Sequence, residues 1–516
     1  MSWLLLSPML IPFLGASVAF LAWNRPRFGQ VVGVVSAVLL LVTSVALLLD
    51  VHANGIRVVQ AANWEAPFGI SFVADHLSAI MVVLTAIIGL ATIVYSLFDI
   101  NRERTYYGYY PLLLTLLFGV NGAFLTGDLF NLYVWFEVLL LASFVLMSLG
   151  GTRPQLDGTL KYVFINLLAS ALLLVAIGLT YGMTGTLNMA DLAVKLPLVE
   201  NSGLVTAVAT MFLIAFGIKA GIFPLFAWLP ASYHTPPVAV SAIFAGLLTK
   251  VGVYTLIRAF TLLFTQDVGY THQLLLWAAG LTMLTGVLGA AAQFEIRRIL
   301  SWHIISQIGY MIMGLALYTP LALVGAVFYI THHIIVKANL FFVGGIIKRL
   351  TGSFELEETG GLYKASPLLA VLFLIPAFSL AGFPPLSGFW PKYILFRAGL
   401  EVESYLIVAV ALITGILTTF SMTKIWAQAF WKGTPEGAAR PVRGSRFREL
   451  RALYLPVMFL AGITIVIGVY AQPFLELAQA SAAELLDSRA YVESVLGEGA
   501  YDPVLALTGS ELGVAP

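Results

Sequence analysis

Residues 203–230, GLVTAVATMFLIAFGIKAGIFPLFAWLP, form an apolar run long enough to cross a bilayer, yet Lys219 sits near its middle and Pro224 follows closely. Even a mild insertion scale places a central lysine at roughly 2.5–3.5 kcal/mol, so such a residue faces a protein interior or a wet cavity. Proline removes a backbone donor and clashes with the preceding turn, which leaves nearby carbonyls to find other partners. A charged, interrupted helix at membrane depth is what an ion path requires. The run has a counterpart: AGIFPLFAWLP (220–230) is echoed by AGFPPLSGFWP (381–391), followed at once by Lys392. Paired interrupted segments in corresponding halves point to the transport site of an inverted-repeat protein.

Composition sets the class. Of 516 residues, 60% are hydrophobic and 10% charged, whereas charged residues make up about 25% of a soluble domain. The chain is therefore expected to be an all-α polytopic membrane protein. A net charge of +1 gives no reason to expect a nucleic-acid partner, and the absence of cysteine excludes disulfides, thiolate zinc sites and cysteine-ligated iron–sulfur clusters. The N-terminal segment lacks a basic n-region and a small-residue cleavage site, and reads as a retained first helix.

At about 20 apolar residues per span, about fourteen transmembrane helices are expected, near 3–23, 30–50, 71–98, 109–126, 129–149, 160–182, 203–229, 237–258, 273–292, 299–318, 322–347, 366–399 (broken), 404–430 and 453–471. Loop charge orients them, because Lys and Arg accumulate on the cytoplasmic side. Arg25, Arg27, Arg102, Arg104, Arg297, Arg298, Lys348 and Arg349 fall on one side, with Arg440 and Arg443 in the basic 431–452 loop. Arg57, Lys195 and Arg489 fall on the other, which places both termini outside. Helices 7 and 12 then run in opposite directions, as two inverted five-helix repeats (helices 4–8 and 9–13) require. The expected organisation is residues 1–108 for helices 1–3, 109–260 and 270–430 for the repeats, and 431–516 for the basic loop, helix 14 and a tail whose LELAQASAAELLDS reads as a short surface helix.

Seven Lys or Arg residues lie inside apolar runs: Lys219, Lys250, Arg258, Lys337, Lys392, Arg397 and Lys424. Arg258, Arg397 and Lys424 stand near helix ends and are expected to snorkel to the interface. Among the acids only Glu137 reads as deep, roughly 13 Å along its helix from Asp128 at a 1.5 Å rise. Asp75 reads as the acidic start of helix 3, suited to the helix dipole. An amine in low dielectric favours its neutral form and a nearby carboxylate favours the charged one, so Glu137 with Lys219 forms a candidate switch. The path continues through Lys250 to helix 11, where His333 and Lys337 share a face in THHIIVKANLF, and then to Lys392. His332 points about 100° away from that face. His303, His76 and His234 read as structural.

At GDLFNLYVWFEVLLLASFVLMSLGG (127–151), KAGIFPLFAWLPASYHTPPVAVSAIFAGLLTKVGVY (219–254) and THHIIVKANLFFVGGII (331–347), the sequence resembles the antiporter-like family. That family unites membrane-arm subunits of respiratory NADH:quinone oxidoreductase with the large subunits of Mrp-type multisubunit Na+/H+ antiporters, and the D-type Mrp subunits are the expected match. The resemblance implies fourteen core helices, broken helices 7 and 12, and functional positions at Glu137, Lys219, Lys250 and Lys392. Some relatives carry a second histidine one turn before the His333 position, where this chain has Tyr329. The resemblance also implies partners of the A, B, C, E, F and G types, and a place in a bacterial plasma membrane.

The resulting expectation is a proton-conducting subunit of a Na+/H+ antiporter complex, embedded in lipid and without a bound cofactor or metal. Glu137 modulates Lys219, Lys219 and Lys250 carry the proton, His333 and Lys337 relay it, with His332 beside them, and Lys392 leads to the outlet. Two other readings are a redox-driven pump subunit of NADH dehydrogenase or a related hydrogenase, and a non-transporting scaffold.

Overall fold

The computed structural model describes residues 2–23, 25–435 and 445–501; Arg440 and Arg443 lie outside them. The helices that organise the molecule are α1 (Ser2–Leu21), α2 (Pro26–Asn54), α3 (His76–Asp99), α4 (Tyr109–Leu125), α5 (Leu129–Ser148), α6 (Arg153–Thr184), α7 (Ser202–Ala220, then Trp228–Ser232) and α8 (Val238–Leu263). They continue with α9 (Val268–Ala292), α10 (Ile296–Leu317), α11 (Pro320–Thr351), α12 (Pro367–Ala381, then Phe389–Glu401), α13 (Tyr405–Trp431) and α14 (Leu450–Val469). Among the described residues twelve helices are long and apolar enough to cross a membrane, and Tyr109–Leu125 and Pro367–Ala381 are shorter apolar helices. The protein is an all-α polytopic membrane protein, with α7 and α12 interrupted.

Local chemistry fixes these ends. Asp75 opens α3 in a capping box with Ser78, Asp128 and Glu295 cap α5 and α10 through the backbone N–H groups of Asn131 and Arg298, and prolines start α2, α11 and α12. Gly221 and Gly382 end the first pieces of α7 and α12 at φ 77° and 98°, a left-handed conformation that costs glycine nothing.

The α8 helix is enclosed by protein along its whole length, with α10 and α11 nearly so. By contrast α1, α2, α6, α9 and α13 turn residues such as Val42, Phe164, Trp277 and Ile416 outward. One contact set occurs twice. Close approach at Gly119 and Gly122 seats α4 against Leu139 and Trp135 of α5; the same approach at Gly286 and Gly289 seats α9 against Ser306 and Trp302 of α10. Each pair is finished by a bridge from the helix cap, Asp128 to Asn188 and Glu295 to Glu355. These two bridges lie on opposite faces of the bundle.

Several expectations need correcting. The span near 71–98 begins only at His76, because Ser71–Ala74 is a strand paired antiparallel with Arg57–Gln60 in a register that sets Arg57 opposite Ala74. Arg258 does not snorkel: it is buried and pairs with Asp75, itself buried at the start of α3. Lys424 reaches across to the end of α9 and donates to the carbonyls of Ala291 (2.7 Å) and Gln293 (2.6 Å), a favourable place for a cation at a helix C-terminus. Arg397 is exposed and bonds Glu401 at 2.8 Å. The tail forms two helices, α15 (Gln472–Leu486) and α16 (Arg489–Leu496), which pack on the bundle face where α3 begins and α8 ends.

Gly252 of α8 lies against the backbone of Lys219 and Ala220, where an added Cβ would stand 2.4 Å from the Ala220 nitrogen. Gly252→Ala is expected to push α8 off the α7 break and cost about 1–3 kcal/mol, read as a lower thermal midpoint of the detergent-purified protein. Gly462→Ala, with nothing within 4 Å, is the control that leaves the midpoint in place.

Candidate functional site

Lys219 occupies the last turn of the first piece of α7, buried where the helix stops. The break directs the chain so that Phe223 N–H donates to Thr282 Oγ1 (2.8 Å) and the Trp228 indole N–H donates to the Ile218 carbonyl (3.0 Å). The Lys219 ammonium donates to Ser170 Oγ of α6 at 3.0 Å and lies 4.5 Å from the centre of the Phe136 ring. Glu137 follows Phe136 on α5, and its Oε1 is buried with no hydrogen-bond partner. No carboxylate oxygen among the described residues comes within 4.0 Å of the amine, although the Glu137 charge acts on it. Glu137 and Lys219 are thus neighbours held short of an ion pair.

Lys250 lies at the centre of the bundle, fully buried. Its ammonium folds back to the Ala245 carbonyl at 2.5 Å, inside the wide π turn Phe244–Leu248. Such turns insert a residue into a helix and free backbone groups for other partners. On α11, Lys337 donates to the Leu300 carbonyl of α10 at 3.1 Å, and His333, one turn earlier, has neither ring nitrogen bonded. His332 faces the α12 break: its Nδ1 is 2.8 Å from Ser387 Oγ, which in turn contacts Ser379 Oγ at 2.8 Å.

Lys392 begins the second piece of α12 and turns back to the first, donating to the carbonyls of Leu380 (2.8 Å) and Ala381 (2.9 Å). The face of Tyr310 lies 5.0 Å away. A cleft of about 290 Å³ adjoins the amine, lined by Gly382, Phe389, Tyr393, Leu412 and Ile416, and opens to the bundle's periphery.

Six of the seven sequence-derived candidates are buried and Glu137 is half-buried, and three further residues stand out beside them. Ser170 is the hydrogen-bond partner of Lys219, a role no sequence pattern announced. His303 is fully buried with Nε2 unpaired, and the charges of Lys337, Lys392 and Lys424 act on it; its i, i+4 spacing to Gln307 in SWHIISQIGY was a readable signal. Tyr329 hydrogen-bonds Gln307 Oε1 and stacks on Tyr310 at 5.0 Å, and its ring meets that of His332 at 5.6 Å.

A line of buried amines and imidazoles threading two interrupted helices marks a membrane protein built around ionisable groups. The chain belongs to the NADH:quinone oxidoreductase/Mrp antiporter transmembrane family, whose model matches residues 126–418. It is 49% identical to the D-type subunit of the Na(+)/H(+) antiporter of Alkalihalophilus pseudofirmus, over 96% of this chain and 99% of that protein. A chain in the structure of the Mrp complex from Dietzia sp. DQ12-45-1b superposes with a TM-score of 0.88 at 34% identity, covering 96% of this chain and 99% of that one. A chain of the archaeal membrane-bound sulfane sulfur reductase also reaches 0.88, at 25% identity and with 96% and 100% covered.

Next to the α7 break, outside the spans, His234 bonds the Pro230 carbonyl through Nδ1 at 2.9 Å. Burial, and then the nearby charges of Arg298 and Arg297, push it down to about 4. Its folded-state value lies below the unfolded value of about 6.5, so charging it opposes the fold, and stability falls as pH drops from about 6.5 towards 4. His234→Gln is expected to move the acid-unfolding midpoint to lower pH while leaving the pH profile of transport between about 7 and 9 unchanged. A profile that moved in that range would make His234 a titrating member of the site.

Proposed function

We propose that this chain is the proton-translocating subunit of a multisubunit Na+/H+ antiporter in a bacterial plasma membrane, with both termini outside, assembled with other Mrp-type subunits. The observation that carries the reading is the series of buried ionisable groups from Glu137 and Lys219, through Lys250, His333 and Lys337, to Lys392. An intramembrane charge is costly enough that proteins retain it for function. Similarity to a D-type antiporter protein over nearly the whole of both chains favours antiport as that function.

In this reading Glu137 sets the charge state of Lys219 by Coulomb interaction across a short gap. When their interaction weakens, Lys219 passes a proton toward Lys250, whose amine exchanges its own proton with the His333 imidazole. The imidazole accepts at one nitrogen and donates from the other, delivering to Lys337; His332 and His303 extend the hop toward Lys392, which releases the proton at the peripheral cleft. Unpaired nitrogens on His332, His333 and His303 support this step, since buried polar atoms are ordinarily satisfied by ordered water, and water is the carrier between side chains. No step requires a redox centre or nucleotide.

The similarity to a chain of the sulfane sulfur reductase favours a second reading, in which redox chemistry in partner subunits drives the same relay. Purification of the intact complex separates the two, because flavin or iron–sulfur proteins would accompany the chain only in the second. The central test is Na+-dependent antiport in everted vesicles. Glu137→Ala and Lys219→Ala are each expected to lower exchange at least about tenfold with the complex still assembled on native gels. Full exchange in both variants would remove the relay, and parallel loss of assembly and exchange would favour a scaffold.

A further inference from the structure

From Lys250 a polar line continues along α8 in the direction opposite to the relay. Tyr254 and Arg258 follow at successive i+4 positions, so the three side chains climb one side of the helix over about 12 Å at a 1.5 Å rise. Tyr254 donates to the Phe124 carbonyl at 2.8 Å and accepts weakly from Arg258 Nη2 at 3.5 Å. The same Nη2 donates to Asp75 Oδ2 at 2.5 Å. Asp75 Oδ1 accepts from the Ser78 backbone N–H (2.9 Å) and hydroxyl (2.8 Å), which fixes the carboxylate and, through it, the guanidinium. Tyr254, Asp75, Arg258 and Tyr491 are all at least nine-tenths buried.

The tail helices complete the enclosure. Tyr491 of α16 lays its ring 5.2 Å from the guanidinium carbon, opposite Tyr254 at 5.6 Å. Glu484 of α15 accepts from the His76 backbone N–H (2.9 Å) and meets His76 Nδ1 (2.7 Å), with His52 3.4 Å from the other ring nitrogen. The strand Arg57–Gln60 adds a weaker tie from Gln60 to the Val495 carbonyl. Tyr254 is thus the polar side chain that stands between Lys250 and the Asp75–Arg258 pair on this side of α8, and the tail helices cover the far end.

We propose that Arg258, locked by Asp75 and roofed by Tyr491 and the tail helices, is an electrostatic plug that stops protons leaving Lys250 straight along α8, so that they must travel laterally to Lys337 and Lys392. A guanidinium does not give up its proton, so it cannot join a relay, and a fixed positive charge in a narrow polar path excludes protons and cations. Coupling requires such a plug, because a short circuit from Lys250 to one face would dissipate the gradient without moving Na+. The inference rests on the relay proposed above.

The test uses the whole complex in proteoliposomes, with an imposed pH gradient and no Na+. Asp75→Asn, which frees Arg258, and Tyr491→Ala, which keeps the ion pair but removes its roof, are each expected to speed gradient collapse several-fold. Adding Lys250→Ala to either is expected to restore the wild-type rate. Vesicles that stay tight with full antiport would show the pair to be inert; tight vesicles with antiport lost would show that it conducts rather than blocks. A leak indifferent to Lys250→Ala would place the route elsewhere, and each of these three results overturns the proposal. If Asp75→Asn fails to assemble, Tyr491→Ala decides. Failure of the relay itself reads differently: Lys219→Ala alone would exchange Na+ at the wild-type rate, while the leak measurements still decide the plug.

Discussion

The structure depends on how it accommodates buried ammonium groups without placing carboxylates against them. Taking an amine out of water costs several kcal/mol, and hydrogen bonds to a charged group return roughly 1.5–3 kcal/mol each. Here Lys250, Lys337 and Lys392 bond backbone carbonyls, and Lys219 bonds a serine hydroxyl. Regular helices hold their carbonyls in the i to i+4 ladder, so carbonyls become available where that ladder is disturbed. The π turn beside Lys250 and the break before Lys392 are such places. Helix irregularity thus serves buried charge at these two places, while Lys337 finds its carbonyl on a neighbouring helix, and the left-handed glycines at 221 and 382 let the backbone break.

Much of this was legible in the sequence because membrane physics writes in large letters. Twenty-residue apolar runs, a lysine within one of them and the echo between residues 220–230 and 381–391 are strong patterns against a hydrocarbon background. The candidate amines and imidazoles followed directly, since little else in the spans is ionisable. What escaped notice depends on three-dimensional partners. Arg258 looked able to reach the interface because it lies near the end of its span; the tail helices cover that end and Asp75 offers a closer partner. Ser170 looks ordinary in sequence, and only the crossing of α6 with α7 brings it to Lys219; the His303 to Gln307 spacing was readable, but its burial beside α11 was not. The strand pair 57–60 and 71–74 was hidden because its second strand runs straight into an apolar helix.

The two faces of the bundle are finished differently. On one, Arg297 and Lys348 stack on Phe354 and the loops are tied by short backbone bonds. On the other, a strand pair, a short helix at Met189–Lys195 and the two tail helices build a polar layer over the ends of α3, α5 and α8. His76 with Glu484 holds that layer to α3, and Asn188 with Ser71 ties its short helix to the strand pair. The chain's last described elements are therefore part of the membrane domain's closure, joined to its first helices by side chains more than four hundred residues apart in sequence.

The clamps at the two helix interruptions differ in kind. At α7 the Ile218 carbonyl accepts from the Gly221 N–H and from the Trp228 indole N–H, donors that carry no charge. At α12 the carbonyls are held by an ammonium, and charge-assisted bonds are roughly twice as strong as neutral ones. The α12 clamp therefore depends on the charge of the Lys392 amine, whereas the α7 clamp, made by a neutral indole, does not.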